Sequence, residues 1–393
     1  MSNNEILNLK NKFFEFYGQC ENKIQFYKSP ARINIIGEHI DYNGGKVFPC
    51  AIDRYLYVAV RKRNDSKINY RDLKFTQKYS FDINDEFTYK KENGYANYLN
   101  GILSIIKCRG FSFKNGIDVL ISSEIPSASG ISSSSALECG FAFAVSDLFG
   151  FDISKKDIAL IGQQSEHEFM NVNCGIMDQY IISTAREGTA ELLDCAKIEH
   201  EYIPLELGDY RFVVMNTKKK RQLADSKYNE RRSQCEKGLA DLKKAGFNYP
   251  DLCSITLSDF IKSQDFIKDE IILHRVRHCV TENDRVLNSV EALKKKDLVT
   301  LGKLLCMSHS SLKNDYEVTG VELDTLVENA LLQEGCLGAR MTGAGFGGCA
   351  IALVKEDSIP LFIENVQRKY VEVIGYEAEF FSCSTSDGVT RVE

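Results

Sequence analysis

Apolar and polar residues change their spacing several times along the chain, and each change predicts an element. Ile6 to Tyr17 predicts a short first helix. Ile33 and Ile35 then alternate with Arg32 and Asn34, the period of a half-buried strand, so Arg32 and Asn34 share a face. Val47 to Val60 predicts strand, followed by a charged hairpin from Arg61 to Lys67. A helix opens at Tyr95-Ala96-Asn97-Tyr98 and runs through Ile106, and Gly116 to Ile125 predicts another strand. Leu137, Phe141, Val145 and Leu148 recur every three to four residues, which is helical spacing. A further helix starts at Ser154, with Asp157 as a capping partner, and frays by Asn171 to Gly175. Ile176-Met177-Asp178-Gln179 opens a short helix with Asp178 in its first turn. Thr189 to Leu193, Tyr210 to Asn216 and Cys349 to Val354 predict strands. Arg231 to about Lys244, Leu301 to Leu312 and Glu322 to Gln333 predict helices.

The polar segments between these elements carry the chemistry. Pro126 to Ala136 leads from a strand into a helix. Gly130 allows close backbone approach, and the serines are good N-cap residues. The first helical N–H groups have no partner inside the helix and sit at the positive end of its dipole, which makes an anion site, with phosphate the usual anion. Ser132 to Ser135 are poor helix formers, so something other than helix stability keeps them there. Glu38-His39-Ile40-Asp41-Tyr42-Asn43-Gly44-Gly45 packs two carboxylates, a histidine and an asparagine into one turn. Such a set can bond several hydroxyls at once, as a sugar requires, although a solvated turn has the same composition. Glu166 and Glu168 fall on different helix faces, so they do not serve one site together.

Other motifs exclude functions. Gly343 to Gly348 fits G-x-G-x-x-G, but a strand follows it where a dinucleotide fold needs a helix. Protein-kinase H-R-D and D-F-G sequences and a Walker lysine are absent, and Gly44-Gly45-Lys46 is followed by valine. His274 and His278 lie four apart on a helix without a third ligand in sequence context, which does not indicate a metal site. The 393 residues suit two or three domain-sized units, and only six prolines argue for close packing between them. A formal net charge of -6 gives no footprint for nucleic acid, and Lys294-Lys295-Lys296 reads as solvated surface. The 13 cysteines form no C-x-x-C pair, the start is polar, and no apolar run reaches membrane length. These features fit a reducing cytoplasm.

The motifs together resemble a known family. Ala31-Arg32-Ile33-Asn34-Ile35-Ile36-Gly37-Glu38-His39-Ile40-Asp41-Tyr42-Asn43 is similar to the galactokinase signature. Pro126 to Ala136 resembles the phosphate loop, and Met341 to Gly348 the third motif, of the small-molecule kinase superfamily that includes homoserine and mevalonate kinases. Cys174 to Gln179, Ser226 to Arg232 and His274 to Leu293 are also galactokinase-like, so the likeness covers nearly the whole chain. Ala31 replaces a usual glycine, Ile40 a frequent threonine, and Tyr95 a common tryptophan.

The resemblance implies an α+β fold of two domains, residues 1–200 and 201–393. The first would carry a left-handed β-α-β unit, and the second would be ferredoxin-like. It implies ATP-dependent phosphorylation of the C1 hydroxyl of D-galactose, with Asp178 as base and Arg32 stabilising the transferred group. Glu38, His39, Ile40, Asp41, Gly175 and Tyr228 would bind the sugar. Ala128, Ser129, Gly130, Ile131, Ser132, Ser133 and Ser134 would cradle ATP. Ser134 and Glu166 would hold Mg²⁺, a hydroxyl and a carboxylate being suitable hard ligands. Tyr95 and Tyr98 are candidates for the adenine pocket, and Lys218 to Arg221 for the rim. A monomer or weak homodimer is expected, without nucleic-acid or membrane partners. Two alternatives stay open: a kinase for N-acetylgalactosamine or another galactose-like sugar, and a non-catalytic regulator that binds galactose and ATP.

Overall fold

The computed structural model describes residues 3–126, 130–219 and 224–392. The chain begins with α1 (Asn3–Tyr17), β1 (Gln25–Asn34), β2 (Lys46–Val47), β3 (Pro49–Lys62), β4 (Lys67–Asp72) and β5 (Lys78–Asp82). Next come α2 (Ala96–Cys108), β6 (Ile117–Ser123), α3 (Ser133–Phe149), α4 (Lys155–Glu168), α5 (Met177–Thr184), β7 (Thr189–Asp194) and β8 (Glu199–Pro204). The second part runs through β9 (Tyr210–Asn216), α6 (Ala224–Lys244), α7 (Leu257–Ser263), α8 (Glu270–Lys294), α9 (Leu298–Asn314) and α10 (Val321–Leu331). It closes with β10 (Cys336–Thr342), β11 (Cys349–Lys355), α11 (Ile359–Ile374), β12 (Glu379–Cys383) and β13 (Thr390–Arg391).

The first sheet has the order β13-β1-β3-β6-β4-β5. Its one parallel pair is β4 with β6, joined through β5 and α2, and the serine loop leaves from the end of β6. The alternation around Ile33 predicts one wet face, yet Arg32, Ile33 and Asn34 are all buried. The reason is tertiary. Helices α3 and α5 pack on β1, and Arg340 and Thr342 bond the backbone at its end. A second sheet orders as β10-β11-β9-β12 and is antiparallel throughout. With helices between β9 and β10 and between β11 and β12, this is the ferredoxin-like arrangement.

The division expected at residue 200 falls inside β8, which pairs with β7 as part of a third sheet, β2-β7-β8. The chain end also returns to the first part, since β13 pairs with β1. Helix α6 begins seven positions before the expected Arg231. One continuous apolar cluster includes Ile33 and Val58 from the first part and Val214 and Ile351 from the second, so the two parts share a core. A smaller cluster of Leu9, Phe13, Phe26, Tyr57, Ala59 and Leu120 seats α1.

Candidate active site

A cavity of about 440 Å³ opens where β1, the serine loop, α5 and the glycine loop after β10 converge. Arg32, from the end of β1, is nearly fully buried and spans this junction. Its Nε donates to Asp178 Oδ1 at 2.8 Å and its Nη2 to Asp178 Oδ2 at 2.7 Å, a two-pronged pairing. Its Nη1 donates to the Gly130 carbonyl at 2.7 Å. One guanidinium thus joins the first turn of α5 to the serine loop. Burial alone would weaken the Arg32 charge, but Asp178, followed by Glu38 and Asp41, more than offsets it.

Ser132 caps α3 in the left-handed region, with φ 64°. A residue other than glycine holds that conformation only when its surroundings fix it. Here the Ser132 hydroxyl donates to Asp178. Because α3 starts at Ser133, the N–H groups of Ser133 to Ser135 have no partner within the helix, and these residues line the cavity. Gly130 lies at the loop's inner end. Ile131 is buried outside the lining and contributes its carbonyl, 3.4 Å from the Arg32 N–H. The expected ATP contacts at Ala128 and Ser129 lie outside the described residues, as do Lys220 and Arg221 of the basic stretch.

Glu38 is buried on the other side. Its Oε1 accepts from the Gly343 N–H at 2.8 Å and lies 3.0 Å from the Thr342 hydroxyl and 3.5 Å from Arg340. Burial pushes its carboxyl above the usual range despite Arg340 and Arg32 nearby. Asp41 lines the cavity, held at about 7 by burial and then by the Asp178 and Glu38 charges. Gly175 is required beside it, since a Cβ there would fall 1.6 Å from Asp41 Oδ2. His39 and Tyr228 also line the cavity, with ring centroids 5.5 Å apart. Both His39 nitrogens are engaged within the protein: Nδ1 lies 2.8 Å from the Tyr42 hydroxyl and Nε2 3.1 Å from the Ala344 carbonyl.

Ile40 does not join this set. Its side chain is fully buried away from the lining, and its carbonyl closes the turn by accepting from the Asn43 and Gly45 N–H groups. Four successive residues of one turn cannot all face the same side. Tyr95 is likewise apart from the cavity: it stacks on Phe75 at 5.7 Å and donates to the Gln77 carbonyl, whereas Tyr98 reaches the lining. Lys219 pairs with Glu322 at 2.8 Å.

The third motif is recognisable in sequence, but the roles of its residues are not. Gly343 has φ +84°, and a Cβ there would meet the Gly130 carbonyl at 2.5 Å. The glycine loop therefore lies directly against the serine loop. His278 is engaged by Ser311 and the Glu38 carbonyl, each at 3.0 Å, so it braces the turn.

Family models match these same segments. The galactokinase galactose-binding signature matches residues 11–62, the GHMP kinases N terminal domain residues 97–186, and the GHMP kinases C terminal model residues 289–372. The chain is 46% identical over 389 residues to the galactokinase of Clostridium perfringens (strain 13 / Type A), covering 99% of this chain and 100% of that one. The chain belongs to the galactokinase family. A galactokinase of Streptococcus suis (strain 05ZYH33) is 44% identical and covers 97% of each chain. The solved Lactococcus lactis galactokinase complexed with galactose matches with a TM-score of 0.93 and 39% identity, over 98% of this chain and 99% of that one. Mevalonate kinase of Methanococcus jannaschii shares the fold, with a TM-score of 0.66 at 22% identity over 94% and 100% of the chains.

As a galactokinase-family member the protein is a sugar-phosphorylating kinase, and this kinase family works with ATP and a divalent metal ion. The donor set suits such an ion. The Ser134 hydroxyl and the Glu166 carboxylate, both hard oxygen ligands, line one cavity wall. Behind them Glu138 is fully buried beside Glu166. Burial first, and the Glu166 charge second, hold the Glu138 carboxyl well above its usual range. Among the described residues, no helix is long and apolar enough to cross a membrane.

Proposed function

We propose that the chain transfers the terminal phosphoryl group of ATP to the C1 hydroxyl of D-galactose. The observation that supports this most is the Arg32 bridge, which joins Asp178 to the Gly130 carbonyl of the serine loop. Asp178 takes the proton of the C1 hydroxyl, the sugar oxygen bonds to phosphorus, and the bond to the β-phosphate oxygen breaks to release ADP. A positioned base of this kind is worth about 10²–10⁴-fold. Arg32 orients Asp178 and faces the charge on the transferred group, as a planar fork can do. The N–H groups of Ser133 to Ser135 receive phosphate oxygens. Mg²⁺, held by Ser134 and Glu166, supplies charge neutralisation when bound.

Glu38, Asp41, the Gly175 backbone and Tyr228 bind the sugar hydroxyls. A buried site that pairs each hydroxyl discriminates by about 10⁴–10⁵ against an analogue that leaves its groups unpaired. Thirteen free cysteines support a reducing, cytoplasmic location. We take the domain division to lie between β8 and β9, with the end of the chain returning to the first domain.

An ATP-consumption assay across a panel of hexoses tests the reading. Galactose should be turned over, with glucose orders of magnitude slower. Equal rates on both sugars, or no rate on galactose, would contradict it, and faster turnover of N-acetylgalactosamine would reassign the substrate.

A further inference from the structure

His39 faces the cavity, yet its ring hydrogen bonds are made to the protein. A carbonyl oxygen can only accept, so the contact of 3.1 Å to Ala344 requires hydrogen on Nε2. Burial, with His278 behind it, lowers the imidazole to about 3, so the ring is neutral and Nδ1 is an acceptor. The Tyr42 hydroxyl, 2.8 Å away, must therefore donate to Nδ1. Its one hydrogen is then engaged, and the Tyr316 hydroxyl at 3.0 Å must donate to Tyr42. By the same step the Cys235 thiol, 3.0 Å from Tyr316, donates to Tyr316. Cys279, with its sulfur 3.8 Å from that of Cys235, ends the series. One carbonyl of the glycine loop thus sets the direction of every hydrogen back to α6 and α8. The ring is also held on its faces, by Tyr316 with centroids 4.9 Å apart and by Tyr228 at 5.5 Å.

We propose that His39 is a positioning residue whose ring is not a partner for a sugar hydroxyl: the Ala344 carbonyl on one side and the Tyr42 hydroxyl on the other fix it as the Nε2–H tautomer and tie the sugar loop to the glycine loop. This deepens the galactose reading and rests on it only for the choice of ligand. Hydroxyl recognition then falls to Glu38, Asp41, Tyr228 and the Gly175 backbone. His39 sets how far the glycine loop stands from them. The Glu38 bond to the Gly343 N–H is a second tie across the same gap.

Histidine labelled with ¹⁵N in the full chain reads the chain directly, because only six histidines are present. The His39 resonances are assigned by their loss in His39→Gln. The sugar-free protein should show His39 as a single Nε2–H tautomer, and saturating galactose should leave that pattern in place. Tyr42→Phe leaves the Ala344 acceptor, so it should keep the Nε2–H tautomer but shift the Nδ1 resonance as that nitrogen loses its donor, and raise KM for galactose about threefold to tenfold, the range of one net hydrogen bond, with kcat little changed. Tyr316→Phe keeps the Tyr42 donor and should leave the Nδ1 resonance near that of the parent, which separates loss of the Tyr42 hydrogen bond from general misfolding. An Nδ1–H tautomer in the sugar-free protein would overturn the proposal. So would a change of protonation at either ring nitrogen on adding galactose, or a Tyr42→Phe variant with the Nδ1 resonance and KM both unaltered. Failure to bind galactose would count against the substrate alone, since the sugar-free spectrum decides the tautomer by itself.

Discussion

The side of the cavity proposed for the sugar is held by side chains bonded to one another, whereas the side proposed for the phosphates presents backbone N–H groups. On the sugar side Glu38 meets Gly343, Thr342 and Arg340, and Arg340 donates to the Asn34 and Ile35 carbonyls. Behind them Glu282 accepts from the Gly37 N–H, Ser308 and Arg285. Burial alone would raise the Glu282 carboxyl, yet Arg285, with His278 and Arg340, brings it down to about 2. On the phosphate side, Ser133 and Ser134 are half-buried and present helix N–H groups that the helix itself cannot pair. The difference teaches how one site serves two ligands. A neutral sugar needs a fixed pattern of donors and acceptors in advance. A phosphate chain supplies its own charge and needs only donors left open for it.

The comparison breaks first at Arg340. Arg340→Met would take from buried Glu38 the stronger of its two neighbouring cations, and removing one partner of a buried pair costs about 3–5 kcal/mol. Denaturant unfolding should report a loss of that size, and a loss below about 1 kcal/mol would show that the sugar side is not prebuilt around this pair. Next is Arg32→Lys, which keeps the charge but loses the fork that reaches both Asp178 and Gly130. Steady-state kinetics should show kcat lower by about 10²–10³-fold, the effect of removing one preorganised donor. A thermal midpoint near that of the parent would assign the loss to chemistry.

Gly175→Ala is smaller. The new Cβ must displace the Asp41 carboxylate, raising KM for galactose by about tenfold with less effect on kcat, as expected for lost ground-state binding. An unchanged KM would remove Asp41 from the sugar contacts. The remaining effect is one of pH. Asp41 stands at about 7 in the folded protein against an ordinary 3.8. The native state therefore keeps a proton that the unfolded state gives up across this window, and stability falls as pH rises through it. Asp41→Asn lacks that proton. Its melting temperature relative to the parent should rise between about pH 5 and about pH 8, and a constant difference would contradict the raised carboxyl.

The parts of this site that read from sequence are those made by neighbours along the chain. The strand, loop and helix around the serine run, and the first turn that carries Asp178, follow from spacing and capping. The ties between them do not. Glu38 and Gly343 are 305 positions apart, and so are His39 and Ala344. Nothing in either segment announces the other, so the ring contacts of His39 cannot be read from its motif. Ile40 shows the opposite: adjacency in a motif suggests a shared role, while its side chain is buried away from the cavity lining. The strands β5, β8, β12 and β13 are not anticipated either. They are short, and pairing rather than apolar rhythm defines them.

Turnover and sugar binding measured side by side in Asp178→Asn test the central claim most directly. The account predicts that kcat falls about 10²–10⁴-fold, while the calorimetric dissociation constant for galactose stays within about threefold of the parent. A kcat close to that of the parent would contradict it, because the aspartate that Arg32 and Ser132 hold would then not be the base.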